Sequence, residues 1–232
     1  MTETPESVLL VVVAITLAIL IIVAVGKQWR ARLKATEEKL AQVAGQMGFS
    51  LHPQRWVRDI LPSDFSQWFC PFGLPPGKVW KGSMDGTEVL LVWIIVRNPL
   101  VGSMLEYTLA CFHLVNNTLP ELNLISASCP FFVKYLWYFQ GNRITFETRP
   151  DFSKKYWLRG SDEHAIRGLF QPHILGAFVQ EWEKTLTVTV KDKWLFVGQG
   201  VDSEKTFQYL PRFLDCAVRI FRLITEQSKE RV

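Results

Sequence analysis

The sequence lacks the paired cysteines and clustered histidines that mark many metal and redox sites. Its 232 residues include 4 cysteines and 4 histidines. No C-x-x-C, H-E-x-x-H or G-x-G-x-x-G pattern occurs, so zinc-site, zinc-protease and dinucleotide-binding chemistry is not indicated. The widely spaced cysteines are typical of buried reduced thiols in a cytoplasmic domain. We therefore predict no cofactor, no metal and no catalytic residue. The cysteines are Cys70, Cys111, Cys129 and Cys216.

The sequence also lacks a basic block of the kind that binds nucleic acid. Lys and Arg number 26 against 22 Asp and Glu, a formal net charge of +4. The first 34 residues hold four cations and two carboxylates, so the remaining residues, 35–232, carry a net charge of only +2. A nucleic-acid interface needs a concentrated basic face. We therefore exclude nucleic acid as a partner.

An unbroken apolar run occupies residues 8–25. It holds 18 residues with one polar member, Thr16. A helix of this length spans roughly 27 Å, close to the hydrocarbon thickness of a bilayer. A cleaved signal peptide is the alternative, but signal peptides usually begin with basic residues, and this chain begins with the acidic MTETPES. We predict a transmembrane helix over residues 8–26, preceded by a short tail of residues 1–7.

Lys and Arg beside this run predict its orientation. The seven preceding residues contain neither, whereas four of the nine residues after Val25 are basic. Because cytoplasmic flanks carry the excess of Lys and Arg, we predict a single-pass inner-membrane protein with its N-terminus outside and its C-terminal part cytoplasmic. The lipid bilayer is then a partner through residues 8–26. The predicted membrane-interface residues are Lys27, Trp29, Arg30, Arg32 and Lys34.

A basic juxtamembrane stalk helix and one globular domain are predicted to follow. The stalk covers residues 27–48, where apolar residues recur at helical spacing and Gly48 provides a stop. The domain covers residues 49–232 and opens with a segment rich in Pro, Trp and Phe, residues 52–77. Aromatic rings there either belong to the core or form a surface for another membrane protein. The predicted partner surface is Trp56, Phe65, Trp68, Phe69 and Phe72.

Several segments predict an antiparallel sheet. Asp85-Gly86, the dipeptide favoured in a type I′ hairpin turn, joins two strand-like runs. The second run, residues 89–96, is apolar on both faces, which predicts a central strand. Further strands are predicted at residues 104–115, at 119–128, on either side of Pro150, and in a hairpin that turns at 191–193.

Helical spacing predicts helices at residues 130–140, two more within 161–184, and an amphipathic closing helix that begins or breaks at Pro211. The second helix of 161–184 is predicted to open at Pro172. Strands and helices come in clusters without β-α-β alternation. The predicted class is therefore α+β: a transmembrane helix, then one domain with an antiparallel sheet packed by several helices and a long C-terminal amphipathic helix.

Four stretches follow one another along the chain in this order: LAQVAGQMGF, KVWKGSMDGTEVLLVWI, PDFSKKYWLRGSDEHAIRGLF and KDKWLFV. The most specific part is F-S-x-x-Y-x-L-R-G followed by a helix that ends in L-F. In this order the chain resembles an uncharacterised bacterial family of single-pass membrane proteins. The resemblance implies an N-terminal transmembrane helix that carries a cytoplasmic α+β domain. It implies no activity and no catalytic residue.

Asp162, Glu163 and His164 are the nearest approach to a catalytic group. Consecutive helical residues point about 100° apart, so the three side chains do not face one another. The preferred interpretation is a helix start, with Ser161 as the cap and the two carboxylates near the positive end of the helix dipole. His113, in an apolar strand, is predicted to be a hydrogen-bonded core residue.

Three functions remain open to the sequence. The leading hypothesis is a membrane-anchored, non-catalytic cytoplasmic interaction module, an accessory or scaffolding subunit of a larger membrane protein complex. The alternative is a domain that binds a small ligand or lipid at the membrane. The third is an enzyme with a site that no motif marks. The lack of any recognisable pattern of catalytic residues disfavours this third function.

Overall fold

The computed structural model describes residues 5–52, 78–97, 104–115, 119–129, 142–181, 186–201 and 206–229. The chain divides into two compact units, Met1–Gln42 and Val43–Val232. The predicted helix at residues 130–140 and the predicted partner surface lie outside the described residues. The described part has the predicted α+β class: an N-terminal apolar helix, an antiparallel sheet, several shorter helices and a long C-terminal helix.

One helix, α1 (Pro5–Gln46), contains the predicted membrane segment and nearly all of the predicted stalk without a break. Every side chain from Ala14 to Val25 is exposed, and Ile22 is 70% exposed. Apolar side chains therefore surround this part of the helix on all sides. Such a surface is unfavourable in water, whereas in lipid it costs nothing to expose.

The end of α1 is fixed by Gly48, as the sequence predicts. Gly48 has a φ of +80°, the left-handed conformation that glycine adopts without strain. The Phe49 amide donates to the Ala44 carbonyl at 2.9 Å, and the Gly48 amide donates to the Gly45 carbonyl at 3.0 Å. These two bonds form a Schellman motif. Phe49, the residue that leaves the helix, is buried.

The described residues form one sheet of nine strands, and every neighbouring pair is antiparallel. The spatial order is β1-β2-β3-β4-β9-β8-β5-β7-β6. The strands are β1 (Ser50–His52), β2 (Lys78–Met84), β3 (Thr87–Arg97), β4 (Met104–His113), β5 (Leu122–Ser126), β6 (Arg143–Ile144), β7 (Tyr156–Gly160), β8 (Leu186–Lys191) and β9 (Trp194–Val201).

Both predicted hairpin turns are confirmed. Asp85 and Gly86 have φ values of 48° and 76° and form the two-residue loop between β2 and β3, as a type I′ turn requires. Asp192, between β8 and β9, has a φ of 50°. The prediction of a central β3 is also confirmed, because residues 89–94 are buried on both faces of the sheet between β2 and β4.

Four shorter or C-terminal helices complete the described fold: α2 (Pro150–Lys155), α3 (Glu163–Leu169), α4 (Pro172–Glu181) and α5 (Thr206–Lys229). They pack on one face of the sheet. Phe112 of β4 stacks on Phe221 of α5 with 4.7 Å between ring centroids. On the same face, Tyr156 of β7 donates its hydroxyl to the Phe178 carbonyl of α4 at 3.0 Å.

A cluster of five rings joins the short helices to the sheet. Neighbouring ring centroids lie between 5.4 and 6.3 Å apart. All five side chains are buried. The cluster therefore fixes α2, α3 and α4 against β7 through large apolar contacts. Its members are Phe146, Phe152, Tyr156, Phe170 and Phe178.

The two short strands predicted around Pro150 are confirmed as β6 and β7, but two helical features differ from the predictions. The short helix α2 between these strands was not predicted; Pro150 begins it, because proline has the right φ and needs no amide hydrogen at the first helical position. Pro211 lies inside α5, which neither begins nor breaks there. Pro211 is exposed, so the carbonyl that its missing amide leaves unbonded can be solvated.

The cap of α3 also differs from the prediction by one residue. Asp162, not Ser161, is the N-cap, and its carboxylate accepts the Ala165 amide at 2.9 Å. We expect Asp162→Ala to lower the free energy of unfolding by about 1 kcal/mol. Ser161→Ala should leave it unchanged. Denaturant unfolding of the detergent-solubilised chain measures both, and equal losses would contradict the assignment of the cap.

Position 160, at the end of β7, requires glycine because neighbouring atoms occupy the place that a Cβ would take. A Cβ added there would collide with the Glu121 carbonyl oxygen and with Cδ1 of Ile166. We expect Gly160→Ala to cost about 1–3 kcal/mol of unfolding free energy, since the backbone oxygen cannot yield cheaply. Gly45→Ala, where nothing lies within 4 Å, is the matched control and should cause no loss. Similar thermal unfolding of the two variants would refute the packing argument.

Candidate membrane interface

The five predicted membrane-interface residues all lie on α1, directly after its apolar part. Residues 27–34 extend roughly 10 Å along the helix axis, about the depth of a headgroup layer. Lys27, Arg30 and Lys34 follow one another at helical spacing on one side, and Arg32 lies on the opposite side nearer Trp29. The four cations are exposed and Trp29 is half-buried. Positive charge therefore surrounds the helix.

The ion pair of Lys34 within this cluster is weak. Lys34 lies 3.8 Å from Glu38, and both side chains are largely exposed. An exposed pair of this kind contributes only a few tenths of a kcal/mol, so it competes weakly with phosphate groups of a lipid surface. Cations near an anionic leaflet contribute about 1 kcal/mol each. The arrangement is chemically suited to hold a helix at a headgroup layer.

Among the described residues, α1 alone is long and apolar enough to cross a membrane. The qualifying part covers residues Ala14–Gln46, and the apolar window within it is not buried by the protein. This finding rests on length and composition. It agrees with the predicted position of the membrane segment.

Residues 161–164 form the start of α3. Asp162 caps α3, and Oε1 of Glu163 lies 2.7 Å from the Arg167 guanidinium one turn later. His164 is exposed on α3, and His173 is exposed near the start of α4. The two carboxylates therefore stabilise α3, as predicted for this segment.

The prediction for His113 is wrong. Its side chain is exposed at the end of β4, and its ring centroid lies 4.9 Å from that of Trp194. The apolar residues around His113 in the sequence suggested a core position. His113 is the last residue of β4, and its two neighbours in the chain, Phe112 and Leu114, are buried.

Burial makes the Cys111 thiol a poor nucleophile. Cys111 and Cys129 are buried and Cys216 is half-buried, and none of the three forms a disulfide. Burial raises the pKa of the Cys111 thiol well above its usual range, so the reactive thiolate is scarce at neutral pH. Within the described residues, no group of three or more His, Cys, Asp or Glu side chains is placed to hold a metal ion.

Two polar side chains that sequence reasoning missed hold the end of α4. Lys155 donates its ammonium group to the carbonyls of Phe178 and Val179 at 3.2 and 2.9 Å, beside the Tyr156 hydroxyl. Burial lowers the pKa of Lys155 and raises that of Tyr156. The Y of the F-S-x-x-Y motif was visible in the sequence, but its partner, 22 residues later, was not.

The F-S-x-x-Y-x-L-R-G motif is explained by this packing at most of its positions. Phe152, Tyr156 and Leu158 are fully buried. The Ser153 hydroxyl accepts the Phe146 amide at 2.9 Å. Gly160 permits the close approach described above. The motif residues therefore mainly pack β7 against the short helices.

Comparison with known proteins gives a fold and no family. No family model matches the chain, and no curated protein matches it. A solved structure with a similar fold is the crystal structure of the mycobacterial trehalose monomycolate transport factor A, TtfA. The two chains are 11% identical with a TM-score of 0.50, and the match covers 81% of this chain and 95% of that chain. At this identity the likeness is one of fold alone: an α+β architecture shared over most of both chains.

Proposed function

We propose that the protein is a membrane-anchored, non-catalytic interaction module, an accessory subunit of a larger membrane protein complex. The observation that carries the proposal is α1, whose fully exposed apolar part continues directly into a cation-bearing helix. A lipid anchor of this kind holds the α+β unit at the membrane. Tethering raises the effective concentration of the module near membrane partners without any new contact.

The proposal includes an orientation. All four cations that flank the apolar part of α1 lie on its C-terminal side. The positive-inside rule then puts the α+β unit in the cytoplasm, in an inner membrane crossed once with the N-terminus outside. Cys111, Cys129 and Cys216 form no disulfide, which agrees with a reducing compartment.

The fold comparison supports an accessory role. TtfA is named as a transport factor, and its fold covers most of this chain. A module that serves membrane transport needs an anchor and a binding surface. The predicted surface for the membrane protein partner is the aromatic group Trp56, Phe65, Trp68, Phe69 and Phe72.

The alternative, a domain that binds a small ligand or lipid, is favoured by one observation. Trp80 and Trp93 are buried on the helix-covered face, and neither indole N–H has a hydrogen-bond partner. A ligand oxygen could accept either hydrogen. Native mass spectrometry of the gently extracted protein tests this function, which a ligand-free spectrum would contradict.

The interaction function is tested by purification of the tagged full-length chain in mild detergent. We expect a stoichiometric membrane protein partner, and recovery of a lone monomer at every detergent strength would contradict the proposal.

Replacing Trp68 and Phe69 by Ser should remove the partner and leave thermal unfolding unchanged. A lowered unfolding temperature would instead assign these rings to the core. Leu51→Ser, at an exposed apolar position of β1, is the matched control.

The orientation is tested with reporters fused after Val232. We expect a fluorescent protein to be active there and alkaline phosphatase to be inactive, because the C-terminus is cytoplasmic. Moving the basic residues across the apolar part should invert or mix the orientation. A periplasmic signal from the unaltered chain would overturn the proposed topology. The altered chain carries Thr2→Lys, Thr4→Lys, Lys27→Gln, Arg30→Gln, Arg32→Gln and Lys34→Gln.

A further inference from the structure

We draw no further inference here: the strongest candidate, the pair of buried indole N–H groups of Trp80 and Trp93 on the helix-covered face of β2 and β3, belongs to the ligand-binding alternative already described, and nothing in the described part of the chain shows an opening through which a ligand would reach them.

Discussion

The exposed apolar surface of α1 is the constraint on which the rest of the protein depends. Its side chains are exposed from Ala14 to Val25, and the helix is long and apolar enough to cross a membrane. Because α1 continues without a break to Gln46, the apolar segment and the basic residues after it belong to one continuous helix. The left-handed turn at Gly48 then ends the helix and delivers the chain to β1.

Local chemistry made much of this fold predictable. Asp85-Gly86 specifies its turn because both positions need positive φ, and Gly48 ends α1 for a related reason. The apolar run of β3 identified a central strand because both of its faces had to be buried. In each case the residues that determine the turn, helix end or strand lie within that feature or next to it in the sequence.

The predictions fail or are missing where a structural feature depends on residues that are far away in the sequence. Which residue caps α3 depends on how the chain leaves β7, and the exposure of His113 depends on how far the sheet is covered. Arg143, Arg159 and Asn123 are neighbours across β6, β7 and β5 through strand register, although they lie up to 36 positions apart in the sequence. The spacing of these residues in the sequence does not predict that they are neighbours, because strand register is set by the whole sheet. The predicted membrane-interface residues, by contrast, are contiguous in the sequence, so they could be proposed without knowledge of the fold.

The two faces of β7 have different physical roles, and the alternation of a strand separates them. Tyr156, Leu158 and Gly160 face the helices, where burial, a hydroxyl bond and a close approach leave little freedom to vary. Trp157 and Arg159 face the other way, where both side chains are half-buried. A domain whose net stability is only about 5–15 kcal/mol can hold a pair of like charges across two strands and a buried amide nitrogen without an acceptor only if its remaining contacts are well made. The tightly packed aromatic cluster beside β7 supplies such contacts.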